Sequence, residues 1–266
     1  MRFPNSEEAE RHMKKTNDWT PVKTEDEISL MRVSSRLVAQ TLRLISGMVT
    51  PGMTTRELDT AAEEFIVSNG GVPSFKGYRG YPASICASVN SEVVHGIPGD
   101  RKLEEGDIIS VDVGVLKDGY HGDGAATFGV GKVSPAAARL LKATRSALMA
   151  GIEKAVAGNR IVDISRAIQS TVESTGYSVV TDLVGHGIGR EMHEEPQVPN
   201  FVVPGRSPML EDGMTIAVEP MVNIGGSEVK IKGDGWTVVT RDGSLSAHFE
   251  HTIALRADGA EILTVA

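Results

Sequence analysis

Four acids stand where the surrounding text should be apolar: Asp112 in "IISVDVGVL", Asp123 in "GYHGDGAATFGV", Glu219 in "TIAVEPMV" and Glu250 in "SAHFEHTIAL". Two histidines, His186 and His193, stand seven apart in the glycine- and acid-rich run "VGHGIGREMHEEP". Taken singly, each has a bland reading: a solvated strand face for the aspartates, a strand-edge charge for either glutamate, an ordinary loop for the histidines. Taken together, the four carboxylates and His186 make a hard, oxygen-rich donor set. It suits one or two divalent ions held about 3.5–4 Å apart by shared carboxylates. A buried acid pair also requires a cation or a raised pKa. The glycines of "GHGIGR" match a dinucleotide-phosphate cradle poorly, because no strand-turn-helix unit surrounds them.

The aspartates can be placed from the sequence. Asp118-Gly119 is a two-residue hairpin signal. If those residues form the loop, Lys117 faces Tyr120, Gly114 faces Asp123 and Asp112 faces Ala125, so both acids share one face as diagonal neighbours.

The elements around them read as α+β. Thr24 with Glu27 makes a capping box before Leu30, Val33, Leu37, Val38, Leu42 and Ile45, which recur at helical spacing. "TPGM" breaks that helix; Thr54 with Glu57 starts a second, which "SNGG" ends at Gly70. A third is expected from Ser134-Pro135 to about Gly158, and a fourth over roughly 163–175. Period-two and β-branched runs between and after the helices predict a mainly antiparallel sheet with helices on its outer face. Residues 1–23 read as a polar extension whose Trp19 and Pro21 pack on the body, and 24–266 as one domain with no linker.

Composition narrows the function classes. The 266 residues are 40% apolar and carry a net charge of −8, so attraction to nucleic acid or an anionic membrane is not expected. The single cysteine, Cys86, leaves no internal disulfide, which fits a reducing cytoplasm. The charged N-terminus "MRFPNSEEAERHMKK" has no apolar signal region, and no run of 18 apolar residues occurs.

With His95 in "SVNSEVVHGIPG", these phrases in this order resemble type I methionine aminopeptidases over roughly residues 24–262. The resemblance implies the "pita-bread" fold and removal of the initiator methionine from nascent chains with a small second residue, by a hydroxide that two divalent ions activate. It implies that Asp112, Asp123, His186, Glu219 and Glu250 hold the ions, with the metal, Co, Mn, Fe or Zn, left open. Glu219 would also move a proton, and His95 and His193 would contact substrate. Tyr78 and Tyr81 in "GYRGYP", Cys86, Met192 and Trp236 match the family's methionine pocket, with Phe75 beside them. Met192 departs from the family, which frequently has phenylalanine there, and "HGDGAA" departs from its commoner wording near Asp123. His12, His121, His248 and His251 are weighed as structural, surface or outer groups, His121 being able to orient a ligand. The implied partners are nascent polypeptide N-termini at the ribosome, met by a monomer in the cytoplasm.

Two rivals share the fold. A prolidase or proline-type aminopeptidase uses the same five ligands but usually carries a substantial N-terminal domain. A metal-free binding protein would have lost ligands. Type II methionine aminopeptidases are set apart by a long insertion, whereas His193 and Glu219 are only 26 positions apart.

Overall fold

The computed structural model describes residues 21–266; His12, Trp19 and the rest of 1–20 lie outside the described residues. Among the described residues there are four long helices: α1 (Glu25–Met48), α2 (Thr55–Ser68) and α3 (Pro135–Ile152), which start at the expected caps, and α4 (Ile161–Glu173), which begins and ends two residues before the expected 163–175. The Thr24 hydroxyl accepts the Glu27 N–H and the Glu27 carboxylate returns to the Thr24 N–H; Thr54 and Glu57 repeat the exchange. Helix α3 stops at Ile152, short of the expected Gly158. The chain tightens there into short turns, with Lys154 N–H bonded to Gly151 O and Val156 N–H to Lys154 O, so no α-helical ladder continues.

The strands in chain order are β1 (Val72–Pro73), β2 (Cys86–Val89), β3 (Glu92–Val94), β4 (Ile108–Lys117), β5 (Tyr120–Gly129), β6 (Ser178–Val179), β7 (Gly185–Gly187) and β8 (Glu194–Val198). There follow β9 (Thr215–Val218), β10 (Met221–Asn223), β11 (Val229–Ile231), β12 (Val238–Thr240), β13 (Ser246–His248), β14 (His251–Arg256) and β15 (Gly259–Ile262). Among the described residues every strand pairing is antiparallel, and the pairings divide into four sheets.

Two cores result. Helices α1 and α2 bury Leu37, Val38, Ile45, Leu58 and Ile66 against Val111, Val113 and Val115 of β4. Helices α3 and α4 bury Leu140, Leu148, Ile164 and Ile168 against Ile216 and Val218 of β9, Val222 of β10 and Ile253 of β14. Each layer leaves the opposite face of its strands for a cavity between them.

The hairpin β4–β5 has the expected register: Lys117 pairs with Tyr120, Gly114 with Asp123 and Asp112 with Ala125. Asp118 and Gly119 both take positive φ, 51° and 81°, as a two-residue turn of this hand requires. Glu219 and Glu250 differ from the reading of acids inside continuous strands. Each falls in a gap, between β9 and β10 and between β13 and β14. Pro220, which has no N–H to give a ladder, marks the first gap. Register is the same on both sides, Val218 pairing with His251 and Met221 with His248, which sets Glu219 opposite Glu250.

Candidate metal and substrate site

The two halves are joined by a seam that sets the distances in the site. The Thr252 hydroxyl accepts the Asp123 N–H at 3.0 Å and donates to the Asp123 carbonyl at 2.7 Å. Two residues along, Glu250 N–H donates to the Ala125 carbonyl at 2.9 Å. Two further, the Thr127 hydroxyl accepts the His248 N–H at 2.9 Å and donates to its carbonyl at 2.8 Å. Strand β5 therefore runs antiparallel to the β13–β14 segment, with threonine hydroxyls standing in for alternate rungs.

This seam lays Asp123 beside Glu250, and β7 adds His186. Candidate ligand atoms of Asp123, His186 and Glu250 all lie within 4.8 Å of one another, and all three residues are buried. Asp112 and Glu219 line the same cavity, of about 490 Å³. His186 Nδ1 is 2.9 Å from the Gly187 carbonyl, which can only accept, so Nδ1 carries a proton and, in the neutral ring, Nε2 presents the lone pair. That lone pair faces Asp123 Oδ2 at 3.8 Å and Glu219 Oε1 at 3.7 Å. Asp112 Oδ1 and Glu250 Oε1 are buried with no hydrogen-bond partner among the described residues.

Such a group of acceptors is unstable without a proton or a cation among them. Burial lifts Asp112 to about 7, with His248 pulling it down and Glu219 adding to the rise. Glu219 is also lifted to about 7 by burial, partly offset by His186. Asp123 and Glu250 are driven well above the usual carboxylate range, first by burial and then by the neighbouring acids. Divalent cations satisfy the same donors, since the four carboxylates and an imidazole nitrogen are the ligand types that such ions take. The residues present fit the implied ions.

Beside the cluster lies an apolar wall. Phe75, Tyr81, Ala83, Cys86 and Met192 pack together, with Tyr78, Ile97 and Trp236 against them. Tyr81 and Trp236 meet edge to face at 5.1 Å between ring centroids. The Tyr81 hydroxyl lies 2.9 Å from the Gly96 carbonyl and 3.1 Å from that of Ile85, which share its proton. Phe75, Tyr78, Tyr81, Cys86 and Trp236 line the cavity, whereas Met192 supports the wall from behind at 2% exposure.

The remaining histidines separate cleanly. His193 and His95 line the cavity. His193 Nδ1 is 2.8 Å from the Tyr78 hydroxyl, and its ring lies 4.3 Å from that of His186. Burial holds His193 at about 3 and His95 at about 4, so both are neutral at pH 7. His121 bonds Ser74 and His251 bonds Thr264, neither reaching the acids in these contacts. His248 is the group that the sequence left with little weight and the fold brings in, 3.6 Å from Glu219. Arg79, Asp182 and Gln197 also line the cavity, from loops and an edge strand that carried no periodic signal.

Comparison with known proteins agrees with this geometry. The family model for metallopeptidase family M24 matches residues 29–257. The chain is 54% identical to a methionine aminopeptidase of Clostridium perfringens, over 92% of this chain and 98% of that one. The structure is similar to that of methionine aminopeptidase from Rickettsia prowazekii, with a TM-score of 0.91 and 44% identity over 93% of this chain and all of that chain. A prolidase from Pyrococcus furiosus shares the fold, with a TM-score of 0.75, at 21% identity over 92% of this chain and 65% of the longer one.

Proposed function

The chain belongs to metallopeptidase family M24, and from that premise we propose that it removes N-terminal methionine from polypeptides whose second residue is small. The observation that carries this reading is the meeting, in one cavity, of a buried carboxylate and imidazole cluster with an apolar wall that includes Cys86, Tyr81 and Trp236. In this reading Asp112, Asp123, His186, Glu219 and Glu250 hold two divalent ions, for which Mn, Fe, Co and Zn are all compatible. When bound, such ions supply Lewis-acid chemistry, making water a competent nucleophile at neutral pH and polarising a carbonyl.

The chain's own residues do the rest. With ions held by these residues, a free α-amine would have a metal to bind, and a formyl-blocked terminus would not. An unbranched thioether fits the wall, since backbone carbonyls occupy the Tyr81 hydroxyl and burial keeps the Cys86 thiol protonated. Glu219, between two imidazoles, takes and returns the proton. If the Tyr78 hydroxyl donates to His193 Nδ1, the proton of that neutral ring sits on Nε2, ready to bond the substrate carbonyl as charge develops. His95, edge-on to Trp236, is assigned to the amide being cleaved. A bulky second residue would meet the cavity walls before the carbonyl reached its place.

The reading treats 24–266 as one catalytic unit, working as a monomer in the cytoplasm on N-termini that emerge from the ribosome. No helix among the described residues is long and apolar enough to cross a membrane. The test strips the protein with a chelator, reloads each divalent ion in turn and offers Met-Ala, Met-Arg, formyl-Met-Ala and Xaa-Pro peptides. Metal-dependent release of methionine from Met-Ala alone is expected. Efficient release of other residues ahead of proline would move the chain to the prolidase side, and equal cleavage of Met-Ala and Met-Arg would refute the steric argument.

A further inference from the structure

His248 is 1% exposed, and among the described residues neither of its buried ring nitrogens has a hydrogen-bond partner. Its Nε2 lies 3.6 Å from Glu219 Oε2 and 4.0 Å from Glu250 Oε2. The ring cannot drift far, because Thr127 holds both the N–H and the carbonyl of His248. The Thr127 proton being spent on that carbonyl, Ser110 must donate the 2.8 Å bond between the two hydroxyls, which anchors Thr127 in turn. His186 approaches the other oxygen of the same carboxylate at a similar distance, yet the two rings differ in one respect. The Gly187 carbonyl takes the Nδ1 proton of His186 and leaves Nε2 bare. No backbone acceptor takes the Nδ1 proton of His248, while the polar atoms found facing its Nε2 are carboxylate oxygens, which accept when ionised.

We propose that His248 is a positioning residue that carries its proton on Nε2 and donates it to Glu219 Oε2, fixing that carboxylate so that Oε1 faces His186. The imidazole is thus a donor in support of a ligand, and outer donors of this kind set both ligand orientation and affinity. The assignment rests on the reading of the cavity as an aminopeptidase centre, but its first test does not depend on activity.

That test is a two-bond ¹H–¹⁵N spectrum of the full chain labelled at its histidine rings, before and after loading with Zn²⁺, with the His248 signals assigned by their absence from His248→Gln. The result expected in both states is a protonated Nε2 and a bare Nδ1. A proton on Nδ1, or Nε2 bound directly to Zn²⁺, would overturn the proposal. The second test compares His248→Ala with His248→Gln, which keeps an amide donor. The alanine variant should lose about 10–100-fold in kcat and in Mn²⁺ affinity, with KM changed by less than about twofold, and glutamine should recover most of the loss. An alanine variant equal to wild type, or a folded glutamine variant no better than alanine, would refute the role. Wild type that binds Mn²⁺ but leaves methionyl peptides intact would sink the proposed function, while the spectrum still decides the tautomer of His248.

Discussion

The Asp112–Asp123 pair and the Glu219–Glu250 pair reach one cavity from two kinds of backbone. The aspartates sit on an unbroken ladder of paired residues from Ile108 to Gly129, diagonal to each other across a tight turn. The glutamates sit opposite each other where a ladder is interrupted on both strands. A continuous hairpin places short acids rigidly. A gap at Pro220 lets longer acids leave the pleat, and the threonine seam then ties that gap back to the hairpin. Opposed like charges destabilise a sheet, so each arrangement is retained only with a cation or protons between its members.

The largest effects should come from removing one charge from either pair. Asp112→Asn and Glu250→Gln should each reduce turnover well beyond the ~10–100-fold typical of an outer-shell loss. A steady-state assay on Met-Ala peptides decides this, and near-normal turnover in one variant would confine the chemistry to the other ladder. His193→Ala comes next. It touches neither pair, so turnover should fall by roughly 10²–10³-fold while metal content is kept. Loss of metal in that variant would make His193 a ligand.

These two predictions depend on very different amounts of foresight. The aspartate pair was legible because Asp118-Gly119 sets the loop length, and from there register follows by counting. The glutamates were legible as acids in apolar text, but not as facing partners, since their register depends on pairings across two sheets. His248 was masked by its position beside Glu250, where strand direction alone gave it no weight. The cavity residues Arg79, Asp182 and Gln197 had no period to betray them, because tertiary packing alone brings loop and edge residues to a site. The end of α3 was missed for a local reason: Gly158 is a turn glycine, but the helix had already closed its last turn at Ile152.

Smaller effects separate the ladder from the seam. A Cβ at Gly114, opposite Asp123, would lie 2.8 Å from Phe75 Cε1 and 2.9 Å from Ser74 Cβ. Gly114→Ala should therefore cost about 1–3 kcal/mol by overpacking and disturb the apolar wall. Thr252→Val removes both bonds to the Asp123 backbone and should cost a comparable ~1–3 kcal/mol, with weaker metal binding added. Denaturant melts and metal titrations of the two variants distinguish them: the seam variant should lose proportionately more metal affinity.

The smallest effect concerns the chelator-treated protein. Asp112 and Glu219 are raised to about 7 and Asp123 and Glu250 are raised as well, so between the ordinary carboxylate range near 4 and about 7 the folded chain binds more protons than the unfolded one. Its stability should fall as pH rises through that window. Melting temperatures between pH 5 and 8 should show the decline with chelator present and lose it once a divalent ion replaces the protons. A decline unchanged by metal would place the responsible groups elsewhere.

The central claim is that both ladders close on the same ions. It is tested most directly by equilibrium dialysis of stripped protein against Mn²⁺ with elemental analysis, on wild type and on Asp112→Asn, Asp123→Asn, Glu219→Gln and Glu250→Gln. Reduced binding in all four folded variants is the result predicted. Full binding in both variants of either ladder would contradict it, assigning the ions to the other pair alone.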